Sequence, residues 1–185
     1  MKILVWNWRG DGNANFYRNF FDIICNHRPS IAVILETCIL GDRANAASLN
    51  LGFDNVCYSN ANGFSGGIWE LWNSWDISLD ILSVTDQTIH AFVQVSVSIP
   101  SSNWIFITVY ASPILNTCLH LWENLSFFAS SDAMPWLLAG NFNDGLGNYE
   151  NLNYSPPNQN GMSMFNNLLN NCNLLDLSIN GPRFT

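Results

Sequence analysis

The chain has 185 residues, 48% hydrophobic and 14% aromatic, enough material for one sizeable globular core. Charged residues make up only 11%, and 14 acids against six bases give a formal charge of −8. That excludes nucleic-acid binding driven by charge alone, because phosphate binding is mostly a Lys/Arg effect.

"KILVWN" (Lys2 to Asn7) is a nearly continuous apolar run and predicts a buried strand. It turns polar too quickly to read as a signal peptide, and no segment reaches the roughly 18 apolar residues of a membrane span. "RGDGN" reads as a Gly-rich turn. "ANFYRNFFDIICNH" puts Phe16, Phe20, Ile23, Ile24 and His27 at helical spacing, which predicts a helix with one apolar face, ended by Pro29. "SIAVILET" is a second buried strand ending at Glu36. "DRANAASLNLG" reads as a short helix with Gly52 just beyond its end.

The pattern then becomes β-rich. "DNVCYSN", "GGIWELWN", "DISLDILSV", "HAFVQVSVSI" and "NWIFITVY" are short runs separated by turn residues, which predicts a meander of antiparallel strands. Trp69 and Trp72 are expected to pack in it. "GFSGG" reads as the start of a strand, since no Lys or helix follows it as a phosphate cradle requires. "ILNTCLHLWENLSFFASS" returns to helical spacing, with Leu115, Leu119, Trp122, Leu125 and Phe128 on one face. "MPWLLAG" is another buried strand, "LGNYENLNYSPPNQN" a loop, and "MSMFNNLLNNCNLLDL" a final helix that could run into a strand.

This order predicts an α/β (α+β) fold of two packed sheets with helices outside, as a single domain over residues 1–185. "INGPRFT" reads as the approach to a further strand, so the domain is expected to be incomplete at its C-terminus. The five Cys are odd in number and show no metal-ligand spacing, and His27, His90 and His120 lie far apart. Reduced thiols of an intracellular protein, and no zinc site, are expected.

Several buried runs end in polar residues suited to chemistry: Asn7, Glu36, Tyr110, and the pair Asn141 and Asn143 after "WLLAG". Polar groups at one rim of neighbouring strands can converge on a cleft. A polar residue at a strand end more often only marks where the strand meets water.

The stretches "KILVWNWRGDGN", "RPSIAVILET", "GFSGGIWELWN", "VYASP", "WLLAGNFND" and "GPRFT", in this order, resemble the endonuclease/exonuclease/phosphatase superfamily. The nearest likeness is to the endonuclease domain of plant LINE-type (non-LTR) retrotransposons. The resemblance implies a four-layered α/β sandwich of two mainly antiparallel sheets flanked by helices, here missing its last strands. It also implies a phosphodiester hydrolase that nicks DNA and depends on Mg²⁺ or Mn²⁺. Glu36 would be the metal ligand, and Asn7 would orient Glu36 or the metal-bound water. Tyr110 would bind the scissile phosphate, and Asn143 would support the attacking water or the developing charge.

The family motif is G-D-x-N, and its Asp activates the water. Here that position is Asn141, an amide that cannot take a proton, so impaired catalysis is expected. Asp144, three residues on, would face the opposite side of an extended segment and so would not replace it. The S-D-H segment that the family carries lies beyond "GPRFT". DNA is the partner the resemblance implies, although the net charge does not support it. A monomer, nuclear if functional, is expected, with no membrane association. The alternative is a non-enzymatic remnant or interaction module. A phosphoesterase acting on lipid or inositol phosphate is a third reading that no residue favours.

Overall fold

The computed structural model of the chain describes residues 1–8, 14–37, 50–62, 65–75, 77–95, 103–131, 134–145 and 159–177. The expected turn "RGDGN", nearly all of the helix expected at "DRANAASLNLG", most of the Asn-rich loop and "INGPRFT" lie outside them. The chain divides into two compact units. The first comprises Met1–Tyr110 and Met134–Asn141, the second Ala111–Ala133 and Phe142–Thr185.

Among the described residues, the first unit holds eight strands and one helix. They are β1 (Ile3–Asn7), α1 (Ala14–His27), β2 (Ile31–Leu35), β3 (Asn55–Asn62), β4 (Ser65–Trp72), β5 (Ser78–Val84), β6 (Thr88–Gln94), β7 (Asn103–Tyr110) and β8 (Trp136–Asn141). They form two four-stranded sheets, in the orders β1-β2-β4-β3 and β5-β6-β7-β8. Each sheet is mixed. β1 and β2 run parallel, as do β7 and β8, and the other neighbours are antiparallel. This is the α+β sandwich expected.

The continuous apolar run of β2 reflects burial on both of its faces. Ile31, Val33 and Leu35 look into the core between the sheets, with Ile68, Trp72, Ile89, Ala91 and Phe106. Ala32 and Ile34 look the other way, onto a second core under α1. There Phe16 and Phe20, one helical turn apart, stack near-parallel with Trp6. Trp69 closes this core at 1% exposure, and both Trp69 and Trp72 pack as expected. The helix ends as its sequence predicts: Arg28 takes a left-handed φ of 47° and donates its N–H to the Ile24 carbonyl at 2.8 Å, and Pro29 follows. His27, expected on the apolar face, is the last residue of the helix and is exposed.

The single meander is corrected to two sets. β3 and β4 pair in one sheet, and β5, β6 and β7 pair in the other. β8 is half-buried throughout rather than buried, and among the described residues β7 is the strand that pairs with it.

The second unit contains α2 (Leu115–Ser131) and α3 (Gln159–Asn171). The buried face of α2 is Cys118, Leu121, Trp122 and Leu125. Trp122 and Leu125 lie on the expected stripe, whereas its other members, Leu115, Leu119 and Phe128, are only half-buried. Trp122, Phe142 and Phe165 make an aromatic cluster, with Phe142 and Phe165 centroids 4.9 Å apart. Just beyond α3, Asn173 has a φ of 50° and the Leu174 N–H returns to the Leu169 carbonyl. This left-handed cap stops the helix, and residues 174–177 do not form the strand it could have run into. Among the described residues, no helix is long and apolar enough to cross a membrane.

Candidate functional site

Parallel pairing in each sheet sends two neighbouring strands to the same rim. β1 and β2 end together, with Asn7 in register with Leu35. β7 and β8 end together, with Tyr110 in register with Asn141. The polar residues that close these strands are the ones singled out in the sequence.

Glu36 is at the centre. It follows β2 directly and adopts a left-handed φ of 56°. For a residue with a side chain, that conformation costs about 1–2 kcal/mol, so the surrounding structure must impose it. Asn7 donates its side-chain N–H to Glu36 Oε1 at 3.1 Å. Asn141, from the other sheet, donates to the same oxygen at 3.1 Å. One carboxylate oxygen is thus held by two amides, and Glu36 and Asn141 are both half-buried.

Tyr110 ends β7 with 7% exposure, and its backbone N–H donates to the Gln87 carbonyl. Its ring lies against Gly66 of β4, where an added Cβ would meet Cε1 at 3.5 Å. Asn7, Glu36, Tyr110 and Asn141 all belong to the first unit. Asn143 belongs to the second, where its amide donates to the Ala111 carbonyl at 2.6 Å.

Asp144 also lies in the second unit. The segment before it is not extended, since Asn143 has a left-handed φ of 51°. The Asp144 carboxylate packs so closely on Gly161 of α3 that any Cβ there would overlap it. Burial raises its pKa, and its charge adds to the burial that pushes the Cys118 thiol up to about 11.

The donor set tests what ion such a site could hold. Among the described residues no three His, Cys, Asp or Glu side chains gather as a metal cluster. One carboxylate with amides beside it fits a hard cation that keeps most of its water, the habit of Mg²⁺, and not a zinc ion. Cys25, Cys57, Cys118 and Cys172 are free thiols.

The sequence reading missed Glu70, a carboxyl buried between the sheets. The signal was present. Alternation along "IWELW" puts Glu70 on the face of Ile68 and Trp72.

No protein-family model and no curated protein matches the sequence. Solved structures do match. The 3′ phosphatase NExo from Neisseria, bound to a product DNA hairpin, is 18% identical with a TM-score of 0.66, over 92% of this chain and 71% of that one. The AP endonuclease LMAP from Leishmania major is 13% identical with a TM-score of 0.64, over 92% of this chain and 66% of that one. The endonuclease domain of TRAS1, a telomere-specific non-LTR retrotransposon, is 12% identical with a TM-score of 0.62, over 92% and 69%. The chain thus spans about two thirds of the length of these structures. Identities this low speak for architecture alone, and the chain shares the architecture of these three structures.

Proposed function

We propose that this chain is a divalent-metal-dependent phosphodiester hydrolase domain, of the DNA-nicking kind found in LINE-type retrotransposons, whose catalysis is impaired by Asn141. The observation that carries the reading is the convergence of Asn7 and Asn141 on one oxygen of Glu36. The ordered likeness of "SGGIWELW" and "GNFND" to plant LINE endonucleases supports the choice within the superfamily.

In this reading Glu36 holds Mg²⁺ or Mn²⁺ through its carboxylate. A bound cation of this type lowers the pKa of water and neutralises charge developing on phosphate. Asn7 keeps Glu36 in place, and the Tyr110 hydroxyl binds a phosphate oxygen. Hydrolysis forms a bond from the water oxygen to phosphorus, breaks an ester P–O bond, and requires the water to lose a proton. Asn141 can orient that water but cannot accept its proton. Its N–H also competes with a cation for Glu36 Oε1. The absence of a general base costs about 10²–10⁴ in rate. A monomeric nuclear protein acting on DNA is the setting that follows.

Nicking of supercoiled plasmid in Mg²⁺ tests it. Nicking by the wild-type chain should be faint and absent in Glu36→Ala. The variant Asn141→Asp should nick at least about tenfold faster, the low end of what a base supplies after allowing for imperfect placement. Equal rates for wild type and Asn141→Asp would overturn the impairment. Nicking that survives Glu36→Ala would overturn the site. No nicking by any of the three would favour the non-enzymatic module.

A further inference from the structure

Glu70 is the buried titratable group that the candidate site does not use. It lies on β4 between Val33 of β2 and Cys57 of β3, facing the core between the sheets, and is 0% exposed. Thr108 of β7, in the opposite sheet, donates its hydroxyl to Glu70 Oε2 at 3.0 Å. Oε1 has no hydrogen-bond partner. His120 and Glu123, the ion pair of α2, lie on an exposed face of that helix.

Among the described residues, the neighbours that face Glu70 offer no compensating charge. β2 presents Ile31, Val33 and Leu35, and β6 presents Ile89, Ala91 and Val93. From β1 and β8 come Ile3, Val5, Leu137 and Ala139, and from β5 Leu79 and Ile81. His90 and Asp80 alternate to the other faces of β6 and β5. The titratable groups on the facing surfaces are Cys57 on β3 and Tyr110 on β7, both acids that carry no positive charge. Burial, and then Glu70 itself, pushes the Cys57 thiol up to about 11, so it is neutral near neutral pH.

An ionised carboxylate here would have one neutral donor and no cation. Desolvation then decides in favour of the protonated acid. We propose that Glu70 is a proton-held clasp between the two sheets: the folded chain keeps its carboxyl protonated, and loss of that proton near neutral pH loosens the packing beneath the candidate site. Thr108, the hydrogen-bond partner of Glu70, stands two residues before Tyr110 on β7. The inference is independent of the proposed hydrolase activity.

Burial raises the Glu70 pKa from 4.5 to about 8, against the smaller opposing effect of the Thr108 hydrogen bond. The folded value lies above the unfolded one. The stabilisation is therefore whole below the unfolded value and is lost as pH rises through the folded value. Within that window the folding constant falls by up to about tenfold per pH unit.

Urea unfolding of the full chain across this window, for wild type and Glu70→Gln, tests the clasp. The wild-type constant should fall several-fold more per pH unit than that of the variant. Parallel profiles would overturn the proposal. Carbon-13 labelling of the glutamate carboxyls gives a second measurement that needs no variant. One of the labelled carboxyls should stay protonated at about pH 6.5 and titrate only above it, and titration of all of them in the ordinary acidic range would overturn the proposal.

Discussion

Two residues decide whether the rim of the sheets can present its polar groups, and both depend on backbone geometry. Glu36 leaves β2 in the left-handed region, which turns its carboxylate toward the amides of Asn7 and Asn141. Gly140 delivers Asn141. It is in register with Val109 of β7, and an added Cβ would overlap the Val109 carbonyl oxygen. The obstacle is backbone already committed to the β7–β8 ladder, so relief must come from separating the two strands. Gly140→Ala should destabilise the chain by more than about 2 kcal/mol, as overpacking against fixed backbone does. Gly52 provides the contrast: its φ is 84°, but nothing lies within 4 Å of its would-be Cβ. Gly52→Ala should cost only about 1 kcal/mol of backbone strain. Urea midpoints of the two variants measure the difference, and equal losses would mean that the Val109 clash is relieved some other way.

Elements with a strong local pattern were legible in the sequence, and their partners were less so. α1 runs over the residues its spacing predicts, because Phe16 and Phe20 mark the buried stripe and Pro29 the end. Alternation along β4 and β6 says which residues share a face, but not which strand lies alongside. β4 and β5 are therefore consecutive in the chain yet belong to different sheets. α2 is apolar over much of its circumference, so more than one stripe was available, and packing selected Leu121 rather than Leu119. The members of the candidate site were legible through their order and the family likeness. The likeness led to the expectation that Asn7 holds Glu36, but not to the second amide, from Asn141, since that depends on a side chain crossing from one sheet to the other. Within the second unit, Phe165 of α3 is 6% exposed against Trp122 and Phe142. Phe165→Ala should cost about 3–5 kcal/mol and speed amide exchange along α2 and α3. Phe127→Ala, on a side chain 75% exposed, should stay within about 0.5 kcal/mol.

At the scale of the whole molecule, the proposed substrate and the net charge pull in opposite directions. A DNA-acting protein ordinarily gains affinity by releasing counterions as Lys and Arg neutralise phosphates. This chain has six such residues against 14 acids. Lys2 directs its ammonium at the His27 carbonyl, and Arg18 and Arg28 are exposed on or beside α1, so these three do not gather on the rim that carries Glu36. Few phosphates can then be neutralised at once. Each would contribute about −0.9 to the slope of log affinity against log salt, so a slope shallower than about −3 is expected for duplex DNA. Binding should be weak at physiological salt and should improve when Mg²⁺ is added, because a cation at Glu36 would replace a local negative charge with a positive one. Fluorescence anisotropy of a labelled duplex across a salt series, with and without Mg²⁺, measures both terms. A slope of about −5 or steeper would require nearly all six basic residues to touch phosphate. Such a result would mean that the basic residues gather on a surface that their spacing in the sequence does not reveal. A shallow slope with Mg²⁺-dependent gain would instead locate what affinity there is at the strand ends.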